Sequence, residues 1–597
     1  MLSIKKLKTG CEHYYVGLQV EDYYLKGGEP PGTLVGIYAG PVTRPLLRSL
    51  LLGFDPETGD GLVQNAGSKG RIPGYDLTVS APKSVSVAAA LAPPELRDQI
   101  REAHSQSVVH MLGVAEAIAG RSRMGKAGRR VVPARLTFAI FEHGTARRVD
   151  NHLPDPQLHT HCVAPNVALR PDGSTGAFVS KCFYEHQLLL TSIYRYQLAQ
   201  RLGKLGFDVL PLDKQRGFRL TCIPIELERQ FSKRRKEIKR ELARQGVSGP
   251  AASEKAALAT RLSKVKPPPR IELLANWKAQ ADALGHEIHW PGSEPEDTQP
   301  RRDQPTPNQR RLISAMIKRE ANLLSEYKPH FDREELLCRA YDKAIGDPMS
   351  TTDVAWAVNS FLNGPAVVRI TDENGREFYR TSAAQKSRRQ LREVLQREAG
   401  DRAGRVLCLR SDSTRWAASY EIARSLRREG THVVLVTRSK RGAEALARES
   451  RRERDDETKV RGSEVEATTL SKFQSNLDRG HFHRGPLPPA WLRDAARALG
   501  AITERANRYL AWSSDRRPLE IGRRSVVLVD EAHKLTASEI SALIDATHRH
   551  GARVVFLGRE QGVYGDVALP RLRPRPEQEL PRALADSLKR EPEPEVS

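Results

Sequence analysis

Hydrophobic and polar residues alternate in several short stretches near the N-terminus. In residues 75–80 the hydrophobic side chains occupy the odd positions, which places Asp76 on the opposite face. Residues 135–141 alternate in the same way, with Leu136 among the inward positions, and residues 159–164 follow a similar pattern. Alternation of this kind is typical of strands whose sheet packs on one face. We therefore predict antiparallel strands in this part of the chain.

Two longer stretches have the period of a helix rather than that of a strand. Residues 95–119 carry a stripe of hydrophobic and small side chains, and residues 187–205 form a second candidate helix. The stripe consists of Leu96, Ile100, Ala103, Ser107, Met111 and Ile118. Antiparallel strands with helices grouped on one face make an α+β layer, and this is the fold class that we predict here.

Beyond about residue 401 the pattern changes to short, continuous hydrophobic runs. The runs cover residues 406–409, 433–436, 525–529 and 554–557, with helical stretches at 419–428 and 537–549. Buried strands that alternate with helices are typical of a parallel α/β sheet. The chain therefore combines two different sheet architectures.

Composition and charge favour a nucleic-acid partner. The 597 residues include 96 Lys and Arg against 73 Asp and Glu, which leaves a formal charge of +23. Such an excess attracts polyanions, although a solvated basic surface is the simpler explanation. The six cysteines form no CxxC pair, which argues against disulfides and thiolate zinc sites. No hydrophobic run is long enough for a membrane span or a signal peptide, so we expect a cytoplasmic protein.

The strongest chemical signal is the segment DPQLHTHCVAPN at residues 155–166. In a strand, His159 and His161 project from the same face and could bind one divalent metal ion. His143, on the face opposite Leu136 in the preceding strand, is the natural third ligand, and His152 in the intervening loop is the alternative. An isolated HxH pair is a weak signal, because two ordinary histidines would produce it as well.

Two tyrosine pairs lie close to the N-terminus, Tyr14-Tyr15 and Tyr23-Tyr24. Tyrosines often pack half-buried with a solvated hydroxyl, which would account for both pairs. A phenolate can instead act as a nucleophile toward phosphorus. Because a free phenol titrates near pH ~10, that chemistry needs a metal at the phosphate and a group that accepts the proton.

Seven motifs in this order resemble the MobF class of conjugative relaxases, the TrwC-like relaxase–helicase family that nicks plasmid DNA for transfer. The resemblance covers roughly residues 1–290. The motifs are MLSIKKL at 1–7, the paired tyrosines, YDLTVSAPKSVSV at 75–87, FEHGTAR at 141–147, DPQLHTHCVAPN at 155–166, LGKLGFDVLP at 202–211 and FSKRRKEI at 231–238. The resemblance implies the histidine–hydrophobe–histidine (HUH) nuclease fold, an antiparallel palm with helices behind it.

The resemblance also implies a role for individual residues. Tyr14 would be the first nucleophile and Tyr23 would perform a second strand transfer, with their neighbours Tyr15 and Tyr24 beside them. A divalent metal, Mg²⁺ or Mn²⁺, would be bound by His143, His159 and His161. Asp76 would orient a metal-binding histidine or the tyrosine hydroxyl, and Lys83 and Arg147 would bind DNA phosphates. The loop of residues 148–154 is longer than in the family, which makes His143 the least secure ligand.

The partners implied by the resemblance are single-stranded plasmid DNA at an origin of transfer and the accessory and coupling proteins of conjugation. The protein would nick one strand, form a 5′-phosphotyrosine and later rejoin the strand, inside a bacterial cytoplasm. Two alternatives remain open. One is a rolling-circle replication or transposition nuclease with the same histidine pair, and the other is a non-catalytic DNA-binding relic.

The C-terminal part resembles the helicase half of the same family. Residues 525–533 (SVVLVDEAH) read as a Walker B strand, in which Asp530 would bind Mg²⁺ and Glu531 would position water. Residues 437–445 and 467–473 resemble early helicase motifs. Only 66 residues follow Glu531, too few for a second RecA-like domain.

The phosphate-binding loop of that helicase half is missing from the sequence. Residues 409–416 read LRSDSTRW and contain no glycine, so the backbone is not suited to wrap a pyrophosphate. Arg415 stands where the lysine belongs, Trp416 replaces the hydroxyl that would bind Mg²⁺, and Asp412 would repel phosphates. We therefore predict a degenerate RecA-like domain with no functional ATP site and no helicase activity.

The chain is predicted to contain five segments. The prediction follows from the changes of pattern above and from two changes in composition, at residues 266–270 (KPPPR) and 291–307. The five segments are a relaxase domain at 1–290, a linker at 291–307, a mixed helical subdomain at 308–400, a degenerate RecA-like domain at 401–570 and a disordered tail at 571–597.

Overall fold

The computed structural model describes a defined set of residues. They are 1–8, 31–125, 128–150, 152–212, 216–246, 249–260, 268–291, 306–328, 330–347, 349–373, 375–386, 389, 406–410, 432–437, 466–469, 525–529, 535–549 and 551–558. The chain divides into two compact units. The first comprises Met1–Glu320 and Arg333–Leu362, and the second comprises Ala321–Asp332 and Asn363–Ser597.

A six-stranded antiparallel sheet forms the centre of the first unit. Its strands follow the order β1-β4-β8-β7-β2-β3, and three two-stranded ribbons (β5-β6, β9-β10 and β11-β12) accompany it. The strands are β1 Leu2–Lys6, β2 Thr33–Gly36, β3 Gly40–Pro41, β4 Gly74–Ser80, β5 Arg121–Met124, β6 Arg130–Pro133, β7 Thr137–Thr145, β8 Pro156–Pro165, β9 Ala168–Leu169, β10 Thr175–Gly176, β11 Val209–Pro211 and β12 Phe218–Leu220. The three strands predicted from alternation are confirmed as β4, β7 and β8, although β7 begins two residues later and ends four residues further on than predicted, and β8 is longer at both ends.

Helices precede and follow the strands of this sheet along the chain. Those described up to residue 362 are α1 Arg44–Leu52, α2 Lys83–Leu91, α3 Pro94–Ala119, α4 Lys181–Glu185, α5 Gln187–Lys204, α6 Ile225–Gln230, α7 Lys233–Arg244, α8 Pro250–Ala259, α9 Arg270–Asp282, α10 Pro307–Tyr327, α11 Arg333–Lys343 and α12 Thr351–Leu362. The two predicted helices are confirmed as α3 and α5. Helix α3 begins with Pro94, a residue favoured in the first turn because its missing N–H would have no helical partner there.

The two faces of the sheet are packed differently. Behind it, α3 buries Ile100, Ala103, Ser107 and Met111 of its predicted stripe, whereas Leu96 and Ile118 are partly exposed. In front, a smaller cluster joins Leu47 of α1 to Leu34 of β2 and Phe141 of β7. The front cluster covers one part of the face and leaves the segment of β7 and β8 beyond Phe141 available for polar side chains.

The second unit contains a five-stranded parallel sheet with the strand order β15-β19-β18-β16-β17. It also contains a hairpin of β13 with β14. These elements are β13 Val367–Thr371, β14 Glu377–Thr381, β15 Val406–Arg410, β16 His432–Thr437, β17 Glu466–Thr469, β18 Ser525–Val529, β19 Arg553–Gly558 and helix α13 Ala537–Arg549. All four predicted hydrophobic runs are strands of this sheet, and their pairing is parallel.

Burial in the parallel sheet agrees with its sequence pattern. Every residue of β18 is buried, as expected for a continuous hydrophobic run in a sheet that is covered on both faces. The predicted helix at 537–549 is confirmed as α13, whereas the predicted helix at 419–428 lies outside the described residues. In the part of the chain that the structure describes, no helix has the length and apolar character needed to cross a membrane.

Candidate metal and nuclease site

Three histidines meet on the front face of the antiparallel sheet. In the pairing of β7 with β8, His143 lies directly opposite His159, and Phe141 lies opposite His161. Because side chains alternate along a strand, the odd-numbered residues of both strands project from the same face here. The ring centroids are 5.2 Å apart for His143 and His159, 5.0 Å for His143 and His161, and 5.2 Å for His159 and His161.

Asp76 fixes the orientation of His161. Asp76 Oδ2 lies 2.8 Å from His161 Nδ1, and the residue as a whole is 3% exposed. Thr78 lies directly opposite His161 in the pairing of β4 with β8, and its Oγ1 is 3.1 Å from Asp76 Oδ1. A carboxylate only accepts hydrogen bonds, so the proton is placed on His161 Nδ1. The Nε2 lone pair of His161 is then available to a metal, as in other carboxylate–histidine pairs.

His159 is oriented by the backbone. Its Nδ1 donates to the carbonyl oxygen of Gln157 at 2.9 Å, which again leaves Nε2 as the electron-pair donor. Burial, and secondarily the neighbouring His161, lower the pKa of His159 to about 4. The ring is therefore neutral near pH 7, and a neutral imidazole is the form that coordinates metals.

The spacing of the three rings fits a shared divalent ion. Imidazole nitrogens about 2.1 Å from one ion would place the ring centres about 4.6–5.3 Å apart, for angles of about 90–110° between ligands. Among the described residues, no group of three or more His, Cys, Asp or Glu already forms a complete metal-binding set as it stands. The fit is based on the spacing of the rings and on the Nε2 atoms of His159 and His161, because their Nδ1 atoms are the ones used in the hydrogen bonds described above. His152, the alternative third ligand, lies exposed in the loop before β8.

Three elements hold the chain where it enters β8. Trp277 Nε1 of α9 donates to the carbonyl oxygen of Pro154 at 2.9 Å. The backbone N–H and the Nζ of Lys233, at the start of α7, each donate to the carboxylate of Asp155 at 2.8 Å. Lys83 Nζ donates to the carbonyl oxygen of Pro156 at 2.8 Å. The strand that carries His159 and His161 thus begins from a fixed point.

The cationic residues predicted to bind phosphates lie close to this strand entry. Burial lowers the pKa of Lys83 to about 8, and its ammonium is engaged with a backbone carbonyl. Arg147 follows the end of β7 and is half-buried. The DNA-binding role of both residues stays a prediction.

Several predicted site residues lie outside the described residues. These are Tyr14, Tyr15, Tyr23, Tyr24, Arg415, Asp530 and Glu531. Within the described site, Thr78 and the anchoring residues Lys233 and Trp277 were not predicted from the sequence. The alternation of β4 had already placed Thr78 on the face of Asp76, which was a usable signal. The contacts of Lys233 and Trp277 join positions more than 75 residues apart, so a local sequence pattern cannot predict them.

The N-terminal part therefore combines an antiparallel sheet, helices behind it, and three histidines and an aspartate on its front face. Residues 8–284 match the family model of the TrwC relaxase. The predicted resemblance to TrwC-like relaxases is thereby confirmed for this part of the chain. Residues 418–562 match the model of an AAA domain, in agreement with the parallel sheet.

The chain also matches curated relatives and solved structures. The chain is 31% identical over 292 residues to the multifunctional conjugation protein TraI of Escherichia coli (strain K12). That match covers 47% of this chain and 15% of TraI, so the chain spans only a small part of this relative's length. Structures of the conjugative relaxase TrwC in complex with oriT DNA, metal-free and metal-bound, are each 28% identical. Each match covers 48% of this chain and 100% of the TrwC chain, with a TM-score of 0.42.

Proposed function

We propose that this protein is a conjugative DNA relaxase, which nicks one strand of an origin of transfer and later rejoins it. The observation that carries the proposal is the cluster of His143, His159 and His161, with Asp76 behind His161, in a domain that matches the TrwC relaxase model. The relatives support transfer rather than replication or transposition, because TraI is described as a conjugation protein.

The three imidazoles are proposed to bind a divalent ion, Mg²⁺ or Mn²⁺. Bound there, the ion would offset negative charge that develops on the scissile phosphate. The donor set supports this assignment, since His159 is neutral near pH 7 and His161 is oriented by a buried carboxylate. Asp76 is proposed to act through His161, by keeping its ring in the orientation that presents Nε2.

Tyr14 is proposed as the nucleophile for the first cleavage. Its phenolic oxygen forms a bond to phosphorus while the bond from phosphorus to O3′ breaks, and the leaving oxygen takes up a proton. The products are a 5′-phosphotyrosine and a free 3′ hydroxyl. Because the linkage is exchanged rather than hydrolysed, the strand can be rejoined without ATP. Tyr23 is proposed to perform a second transfer, with Tyr15 and Tyr24 adjacent.

The proposed substrate is single-stranded DNA at the origin of transfer of the protein's own replicon. The net charge of +23 is suited to DNA backbone contacts, and Lys83 and Arg147 are proposed to be among them. Accessory and coupling proteins of conjugation are proposed as further partners. The relaxase domain is assigned to residues 1–290, in accord with the family match over 8–284.

The C-terminal part is proposed to lack ATP-driven helicase activity. Residues 409–416 contain no glycine and no lysine, and the AAA match begins at residue 418, beyond this segment. Without a loop of backbone N–H groups around the phosphates, nucleotide binding loses its main contacts. The RecA-like segment, assigned to residues 401–570, is proposed to bind DNA or a partner protein.

Covalent adduct formation tests the proposed function. Full-length protein, Mn²⁺ or Mg²⁺ and single-stranded DNA from its own origin should give a protein–DNA species that survives boiling in detergent. A chelator should prevent its formation. His143→Ala should reduce the adduct by at least about a hundredfold, as expected when a metal ligand is lost, whereas the matched change His152→Ala should have little effect. Absence of an adduct with the wild-type protein on a verified origin would support the DNA-binding relic instead.

A further inference from the structure

Helix α3 contacts the back of the histidine site through two side chains one helical turn apart. Arg101 Nε donates to Glu142 Oε1 at 2.7 Å, and His104 Nε2 lies 2.8 Å from Thr160 Oγ1. Glu142 immediately precedes His143 in β7. Thr160 lies between His159 and His161 in β8, at the position where the HUH pattern has a hydrophobic residue. Both side chains therefore point to the face opposite the imidazoles.

The two contacted residues face each other across the strands. Glu142 lies directly opposite Thr160, and the next pair along the ladder is His143 opposite His159. Arg101 and His104 belong to the same rigid helix, so their two hydrogen bonds restrain β7 and β8 relative to each other at the position next to the histidines. The separation between His143 and the pair on β8 depends on that alignment.

His104 is itself held from its other side. Its Nδ1 lies 2.7 Å from the hydroxyl of Tyr194 in α5, and the ring is 0% exposed. A hydroxyl can donate or accept, so a neutral ring satisfies both of its nitrogens in this chain of contacts. Arg101 and Glu142 are less enclosed, with side chains 19% and 12% exposed. The stricter of the two restraints is the one that runs from Tyr194 through His104 to Thr160.

We infer that Arg101, His104, Glu142 and Thr160 form a clamp that sets the spacing of the three imidazoles on the opposite face of the sheet. These four are positioning residues, since they act through the strands and not on substrate. The inference rests on the proposed function in one respect, namely that the imidazoles bind a divalent ion. If these contacts served stability alone, removing them would leave metal affinity unchanged. The test therefore measures metal affinity after one contact has been removed.

Thr160 offers a substitution that removes one hydroxyl and conserves shape. In metal-free full-length protein, Co²⁺ would be titrated and followed by its visible absorption, which reports the number and arrangement of ligands. We expect Thr160→Val to weaken Co²⁺ binding by about tenfold or more and to alter the spectrum. Thr160→Ser, which keeps the hydroxyl, should restore both. Val108→Ala, at a fully buried position of α3 without polar contacts, should lower the melting temperature and leave Co²⁺ affinity unchanged.

The possible results separate the inference from the proposed function. If the wild-type protein binds Co²⁺ and Thr160→Val binds it equally well, the clamp is refuted while the metal site stands. Equal weakening by Thr160→Val and Val108→Ala would also refute it, because general destabilisation would then explain both. A wild-type protein that bound no Co²⁺ would refute the metal site, and the inference would fall with it.

Discussion

The antiparallel and the parallel sheet of this chain differ in the polar residues that they carry. The antiparallel sheet brings three imidazoles to within 5.0–5.2 Å of one another and supports one of them with a buried carboxylate. The parallel sheet has all its predicted hydrophobic strands, but residues 409–416 at its first strand contain no glycine and no lysine.

The difference shows that a fold and its chemistry have separate requirements. Continuous hydrophobic runs suffice to form buried parallel strands, whatever follows them in the loops. A catalytic site instead depends on a few polar side chains in fixed positions, and these depend in turn on contacts behind them. The following changes test the contrast, in order of decreasing expected effect.

Tyr14→Phe is expected to have the largest effect. The variant removes the nucleophilic oxygen and keeps the ring, so first-strand cleavage should fall by at least about a thousandfold. The measurement is the yield of covalent adduct on origin DNA. Tyr23→Phe is the matched control and should leave this first cleavage largely intact. Adduct formation by Tyr14→Phe at the wild-type level would assign the nucleophile to another residue.

Asp76→Asn should have an intermediate effect. An amide can present its N–H₂ to His161 Nδ1, so the ring would no longer be held with its proton on that nitrogen. Loss of such a supporting carboxylate typically lowers metal affinity or activity by about 10- to 100-fold. Cobalt titration and nicking rates would both report it. Unchanged values in both assays would show that the hydrogen bond between Asp76 and His161 is only structural.

Acidification should destabilise the first unit of the metal-free protein. Burial lowers the pKa of His104 to about 3 and that of His159 to about 4, from an ordinary value of 6.5. Below pH 6.5 the unfolded chain takes up protons that the folded chain excludes, so stability is lost as the pH falls toward these values. Melting temperatures measured with a chelator should therefore decline from pH 7 to pH 5. His104→Gln should reduce the slope, and an identical slope would contradict the assignment of cause.

Glu531→Gln should have no effect on nicking. Because the predicted ATP site already lacks its phosphate loop, removing its water-positioning carboxylate should also leave ATP hydrolysis at the background of the wild-type protein. Phosphate release and adduct yield, measured in parallel, check both statements. If the wild-type protein had clear ATPase activity and Glu531→Gln abolished it, the domain with the parallel sheet would have a functional ATP site.

The alternating pattern of β8 was enough to place His159 and His161 on one face. The alternation along β7 likewise placed His143 on the face opposite Leu136. The sequence could not reveal that His143 lies opposite His159, because the register between two strands joined by a long loop is a tertiary property. His104 was missed for a related reason. It lies beside Ala103 in the buried stripe of α3, and its hydroxyl partners come from β8 and α5.

In the second unit, the hydrophobic runs predicted four of the five described strands and their parallel pairing, and β17 was missed. They did not predict the spatial order, in which β15 pairs with β19, the last strand among the described residues. Strand order is set by how the intervening segments cross the sheet, and hydrophobicity along one strand carries no information about its neighbours.

The hydrogen bond from Trp277 to Pro154 bears on how short a working fragment can be made. Trp277 is 5% exposed, and α9 carries it to the loop that precedes β8. A truncation before residue 270 would delete this support, uncover apolar surface and leave the Pro154 carbonyl without its indole partner. The minimal N-terminal fragment should consequently extend through Asp282, although no residue of α9 is proposed to touch DNA.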